Sequence, residues 1–306
     1  MKILLLGKDG QVGHALTTTL TTLGSVIALS RHQAHNPDNL VGDLADTAGL
    51  IASIRAVQPD VIVNAAAYTA VDRAESEPQL ARLVNALAPG AMAEELKRSG
   101  GWLVHYSTDY VFDGSGTRPW QEDDATAPLS TYGRTKLEGE AAIRASNCHH
   151  LILRTSWVYA EHGNNFLKTM LRLAGERETL SVVADQIGAP TSAGLLAKVT
   201  AQILPQAAAH AALSGTYHCA SAGETSWYDY AQFVFQEARK HGTNLRVQPH
   251  SVAAIATSAY PTPAARPQNS RLNCELLQRR FNLQLPHWQE DVRETVAQLY
   301  QSSALK

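Results

Sequence analysis

The sequence predicts an α/β protein with a doubly wound parallel sheet of Rossmann type and a smaller, partly interleaved C-terminal lobe. Three observations predict it. Short apolar runs alternate with longer stretches of helical character through the first half of the chain, the pattern of βαβ units. The first run leads directly into a glycine-rich turn, Gly7-Lys8-Asp9-Gly10-Gln11-Val12-Gly13. A hydrophobic fraction of 44% over 306 residues can bury a core larger than that of one typical domain.

The runs at 3–6, 25–29, 61–63, 103–105 and 151–153 are apolar at nearly every position, as strands covered on both faces must be. Helices are predicted between them near 12–23, 46–57, 78–98 and 131–146, the last opened by the polar pair Ser130-Thr131. Beyond residue 156 the alternation loosens, and Pro261, Pro263 and Pro267 mark a loop. Helices are expected near 191–205, 226–241 and 287–301, with residues 185–190 turning into the first. Residues 1–156 are therefore expected to bind a dinucleotide. Residues 157–306 mainly form a substrate-binding lobe, with some segments returning to the sheet.

Composition removes several function classes. Lys and Arg number 26 against 28 Asp and Glu, a net charge of -2 without the basic excess of a nucleic-acid binder. Cys148, Cys219 and Cys274 are too few and too scattered for a disulfide scaffold or zinc cluster. The histidines, His149-His150 included, make no metal-ligand spacing, so no metal is expected. No apolar run approaches the ~18 residues of a membrane span, and MKILLLGKDG is too short an apolar start for a signal peptide. A cytoplasmic enzyme acting on a small molecule is the expectation.

The glycine turn carries the first chemical signal. In such a loop one glycine allows the tight turn, another the close approach of a pyrophosphate to backbone, and a third the packing of helix on strand. The helix N-terminus then offers N–H groups and a positive dipole end to phosphate. Gly7, Gly10, Gln11, Val12 and Gly13 are therefore candidate cofactor residues, although the spacing is G-x-x-G-x-x-G. An NAD-selective site places an acid after the second strand to bind the ribose 2′-OH. Ser30 and Arg31 stand there instead, a neutral and a cationic residue that suit a 2′-phosphate, so NADPH is expected in preference to NADH. Asp43-Leu44 falls where an Asp could meet the adenine amine. Ala65, Ala66 and Ala67 would let the middle of the cofactor pass.

The second signal is Tyr132-Gly-Arg-Thr-Lys136, which places a phenol and an ammonium four apart on one helix face. Such a spacing is common by chance, but this one lies on the helix after the fourth strand, one step beyond Ser107-Thr108-Asp109. Open α/β sheets bind ligands at the carboxyl ends of their strands. Lys136 would favour the Tyr132 phenolate, and Thr108 would share a substrate oxygen with Tyr132.

With these motifs together the chain resembles the extended short-chain dehydrogenases/reductases, and within them the dTDP-4-dehydrorhamnose reductase family. The matching segments are LLLGKDGQVG at 4–13, DVIVNAAAYTAVDRAE at 60–75, VHYSTDYVFDG at 104–114, YGRTKLEGE at 132–140, RTSWVYAEHGNNFLKTML at 154–171, DQIGAPT at 185–191 and TSAYPTPAARPQNSRL at 257–272. The resemblance implies NADPH-dependent reduction of a 4-keto nucleotide sugar, with Thr108, Tyr132 and Lys136 catalytic and Thr108, Asp109 and Trp157 on the sugar nucleotide. It also implies that Gln11, Val12, Asp43, Leu44, Ala65 to Ala67, Tyr106, Tyr132 and Lys136 hold the dinucleotide. Some members of the family form dimers bridged by magnesium on carboxylates. The matching positions here are Ala15 and Gly194, so no metal bridge and a monomer or weak homodimer are expected. Two alternatives stay open: a reductase or epimerase for another 4-keto nucleotide sugar, and a non-catalytic NADP-binding regulatory subunit. The Glu that dehydrating relatives carry after Thr-Asp is replaced by Tyr110.

Overall fold

In a computed structural model, residues 1–31 and 38–304 are described. The chain opens with β1 (Lys2–Leu6), α1 (Gln11–Thr19), β2 (Ser25–Leu29), α2 (Thr47–Val57) and β3 (Val61–Asn64). Next come α3 (Val71–Ala74) and α4 (Pro78–Arg82), which run through a π-helical turn, Leu83–Leu87, into α5 (Ala88–Ser99). β4 (Trp102–Thr108), α6 (Thr131–Ser146) and β5 (His149–Thr155) complete the first half. The second half contributes β6 (Val158–Tyr159), α7 (Phe166–Glu176), β7 (Leu180–Val183), β8 (Ile187–Gly188), β9 (Thr191–Ser192) and α8 (Ala193–Ala209). It ends with β10 (Gly215–His218), β11 (Thr225–Ser226), α9 (Trp227–Lys240), β12 (Val252–Ile255), α10 (Glu275–Phe281) and α11 (Trp288–Ala304).

Six strands form one parallel sheet in the order β10-β5-β4-β3-β1-β2. The direction of winding reverses between β1 and β3, the switch point at which such sheets hold ligands. β3 and β4 are buried throughout because helices cover both faces, whereas β2 lies at the edge with its middle residues half-buried. β10 returns to the sheet from the second half of the chain, and α8 packs on α1.

Side-chain caps set the helix starts near the site. Ser130 accepts from the Gly133 N–H at α6, and Glu75 accepts from the N–H and hydroxyl of Thr131 at 2.7 and 2.8 Å. Asn165 caps α7, Ser192 caps α8 and Ser226 caps α9 in the same way. The helix expected at 12–23 ends at Thr19 and tightens into a 3-10 turn. The one expected at 191–205 continues through Pro205 to Ala209, because Ile203, Leu204 and Ala207 keep one face buried. Packing there overrides the local preference of proline to stop a helix.

Two apolar clusters lie on the two faces of the sheet, one under α1 and α8 and the other under α2 and α5. A third, aromatic-rich cluster with Tyr159, Tyr230, Phe235 and Trp288 forms the inside of the second lobe. Among the described residues no helix is long and apolar enough to cross a membrane.

Candidate active site

A cleft of about 900 Å³ opens at the carboxyl ends of β1, β3 and β4, between the sheet and the second lobe. It brings together Gly7, Gly10, Gln11, Val12, Ser30, Arg31, Asp43, Leu44, Ala65 to Ala67, Tyr106, Thr108, Asp109, Tyr132, Lys136 and Trp157. Every site residue expected from the sequence lines it except Gly13, which lies behind the loop.

The glycine loop has the shape a diphosphate needs. Gly7 has φ +86, and a Cβ there would stand 2.8 Å from the Ala66 backbone nitrogen. A Cβ on Gly13 would lie 2.0 Å from the Gly7 carbonyl oxygen, so glycine lets α1 press against the loop. Gly10 places no side-chain cap on α1, leaving the first N–H groups for an anion. The second lobe reaches this loop: Asn165 Nδ2 donates to Gln11 Oε1 at 2.8 Å, and His162 Nε2 lies 3.2 Å from the Asp9 carbonyl oxygen. At the far side of the loop Ser30 is buried and Arg31 exposed. Asp43 turns one carboxylate oxygen to the Ala45 N–H at 3.0 Å. Tyr106 borders the cleft, but its hydroxyl is 2.6 Å from Thr200 Oγ1 on α8, directed into the core.

Thr108 ends β4 at the mouth of the cleft. Its hydroxyl donates to Asp109 Oδ1 at 3.1 Å and accepts from the Tyr110 N–H at 3.2 Å, beside the Tyr132 phenol. Burial pushes the Tyr132 pKa above its ordinary value, and the Thr108 contact opposes this. The sequence expectation is that Lys136 pulls this phenol down; burial instead leaves it raised. Lys136 is 1% exposed, and its Nζ lies 3.0 Å from His105 Nε2 and 2.7 Å from the Tyr106 carbonyl oxygen. Its own pKa falls to about 8 through burial, which Glu140 partly offsets. Burial also pushes the Asp109 carboxyl up to about 6 against the nearby hydroxyls of Ser270 and Thr108, and its Oδ2 has no hydrogen-bond partner.

Trp157 follows β5 with φ +48, a left-handed conformation that a bulky residue adopts only where its surroundings impose it. Its ring stacks on Trp227 with centroids 3.6 Å apart, and Trp227 Nε1 donates to Gln186 Oε1 at 3.1 Å. Both rings line the cleft.

Several lining residues were not singled out in the sequence. Arg266 enters from a proline-rich loop and donates to Asp72 Oδ2 at 2.9 Å, with its other nitrogen 3.5 Å from the Tyr110 hydroxyl. Among the described lining residues the cations are Arg31, Lys136 and Arg266. Tyr110 meets Tyr132 edge to face at 5.5 Å. Arg266 and Trp227 carried no local signal, because each reaches the cleft from more than 90 residues away in the chain from Tyr132. No group of three or more His, Cys, Asp or Glu among the described residues could hold a metal ion.

Residues 1–301 match the RmlD substrate binding domain family. The chain is 52% identical over 305 residues to a dTDP-4-dehydrorhamnose reductase of Salmonella typhimurium, covering 100% of both chains. A crystal structure of a dTDP-4-dehydrorhamnose reductase from Clostridium acetobutylicum superposes with TM-score 0.87 at 35% identity, covering 98% of this chain and 99% of that one. One from Bacillus anthracis, in complex with NADP, does so with TM-score 0.84 at 32% identity, covering 97% and 99%. A chain matched in this way along its whole length belongs to the RmlD family of dTDP-4-dehydrorhamnose reductases.

Proposed function

We propose that this chain reduces the C4 ketone of dTDP-4-dehydro-β-L-rhamnose to give dTDP-L-rhamnose with NADPH, the last step of dTDP-rhamnose synthesis. The observation that carries this reading is a single cleft that runs from a phosphate-shaped glycine loop to Thr108, Tyr132 and Lys136. The close approach at Gly7 fits the dinucleotide's pyrophosphate, and Arg31 fits a 2′-phosphate. NADPH supplies the hydride when bound.

The chain's own groups do the rest. Tyr132, with its proton held at neutral pH by burial, gives it to the carbonyl oxygen as negative charge develops there. Thr108 orients the same oxygen, and Lys136 holds the ribose and supports the phenolate that remains. Asp109 and the Trp157–Trp227 stack receive the deoxysugar, apolar ring face against indole. Arg266, tethered by Asp72 at the sugar end, faces the diphosphate of the nucleotide sugar. Residues 1–156 carry the dinucleotide side of this cleft and the later lobe the sugar side. The site of action is the cytoplasm, and the chain works as a monomer or weak homodimer.

Loss of NADPH absorbance with dTDP-4-dehydrorhamnose made in situ tests the proposal. Oxidation by wild type and almost none by Tyr132→Phe supports it. No oxidation by folded, NADPH-binding wild type overturns the substrate assignment.

A further inference from the structure

The sugar side of the cleft is assembled around β8. Gly188 lies against Trp157: a Cβ there would stand 2.8 Å from Cε2 of the ring. On one edge β8 pairs antiparallel with β11, whose Ser226 immediately precedes Trp227. On the other, the Ile187 N–H donates to the Gln268 carbonyl at 2.8 Å and the Ser270 N–H to the Ile187 carbonyl at 2.8 Å, close behind Arg266. Gln186, the residue before β8, adds a side-chain link between these two edges. Trp227 Nε1 can only donate, so the 3.1 Å contact fixes Oε1 of the Gln186 amide on that side. Nε2 then faces Thr257 Oγ1 at 3.1 Å. The Thr257 hydroxyl accepts there because its own hydrogen goes to Asp185 Oδ1 at 2.6 Å. Gln186 is 6% exposed, so either bond left unmade would strand a polar atom largely out of water.

We propose that Gln186 is a positioning residue for the sugar nucleotide: its one amide holds the Trp157–Trp227 stack and the loop that carries Arg266 in a single arrangement. The inference rests on the reading of the cleft as a nucleotide-sugar site. On that reading the stack meets the deoxysugar and Arg266 the diphosphate, so the two must keep a fixed separation for one molecule to reach both. Among the described residues, those lining the cleft include Trp157, Trp227 and Arg266 but neither Gln186 nor Thr257. Gln186 therefore acts through its partners and not on the substrate. The residue type matters, since the position needs an acceptor toward the indole and a donor toward the hydroxyl. A primary amide supplies both; a carboxylate has no donor, and a thioether has no donor and only a weak acceptor.

The first test needs no turnover. The Trp227 indole N–H signal in 15N–1H spectra is identified by its absence in Trp227→Phe. Thr257→Val removes the acceptor for Gln186 Nε2 at the far end of the amide, and the Trp227 signal is expected to shift. In a Gln186→Met background the same Thr257→Val change should leave that signal where it is. In turnover, Gln186→Met should raise KM for dTDP-4-dehydrorhamnose about tenfold, with kcat within about threefold and NADPH affinity unchanged. Thr257→Val should raise the same KM by about threefold, which keeps the test open if Gln186→Met does not fold. An unmoved Trp227 signal in folded Thr257→Val, or a wild-type KM in folded Gln186→Met, overturns the inference even if the sugar is reduced. So does a loss of NADPH affinity as large as the rise in KM, the mark of a generally loosened fold. The expected shifts in a protein that reduces no sugar would leave the amide link standing and overturn the proposed reaction.

Discussion

In the proposed reaction Tyr132 acts as an acid. Its half-buried phenol has its pKa raised by desolvation, and Lys136 points to His105 and the Tyr106 carbonyl. A proton-loaded phenol suits donation to a forming alkoxide. Tyr132→Phe should lower kcat by roughly 10²–10⁴ while leaving NADPH affinity within a few-fold, measured by turnover and by fluorescence titration. Asp109 gives a second prediction at the same scale. Its folded-state pKa, about 6, lies above the unfolded value, so its contribution to stability is present in acid and is lost as pH rises through about 6. Urea unfolding should show wild type losing on the order of 2–3 kcal/mol relative to Asp109→Asn between about pH 4 and pH 7. A constant difference across that range would remove the burial-raised Asp109 carboxyl from the account. Tyr132, Lys136, Thr108 and Asp109 were legible because each sits in a local motif beside a strand end. Arg266 and Trp227 were not, since only the fold brings them to the cleft, and the φ of Trp157 is imposed by its neighbours.

At the scale of elements, the glycine loop and the β4–β5–α6 junction decide whether the site is assembled. Gly13→Ala would drive a Cβ into the Gly7 carbonyl and push α1 off the loop. NADPH affinity, read by calorimetry, should fall at least about tenfold, or by about 1.4 kcal/mol or more. Glu140 is fully buried between Arg154, whose Nε and Nη2 donate at 2.9 and 2.7 Å, and Ser107 at 2.6 Å. Glu140→Ala leaves the Arg154 charge buried without its carboxylate and should cost about 3–5 kcal/mol in denaturant unfolding. The parallel strands could be read from sequence because burial on both faces makes them continuously apolar. The two-residue ladders β6–β9 and β8–β11 have no periodicity long enough to read, and tertiary contacts alone select them. The π-turn at Leu83–Leu87 was equally silent. It carries Asn85, whose side chain accepts from the Tyr68 N–H at 2.8 Å and donates to the Tyr68 carbonyl at 3.1 Å, bracing the loop after β3.

At the scale of the molecule, the proposed function draws on both halves of the chain around one cleft. The first half supplies the glycine loop and the Thr108–Tyr132–Lys136 group, and the second half lines the same cleft with Trp227 and Arg266 and touches the loop through the Asn165–Gln11 contact. Ala15 and Gly194 offer no side-chain oxygen for a shared ion. Light scattering should therefore give the same mass with magnesium as with a chelator, at or slightly above the 33.1 kDa of one chain. The most direct measurement of the central claim is a turnover with NADPH deuterated on the transferring face, followed by NMR of the sugar nucleotide. Deuterium at C4 of dTDP-L-rhamnose, formed by wild type and not by Tyr132→Phe, is the predicted result. A reduced sugar without deuterium at C4, or NADPH held in the cleft with no sugar reduced, would contradict it.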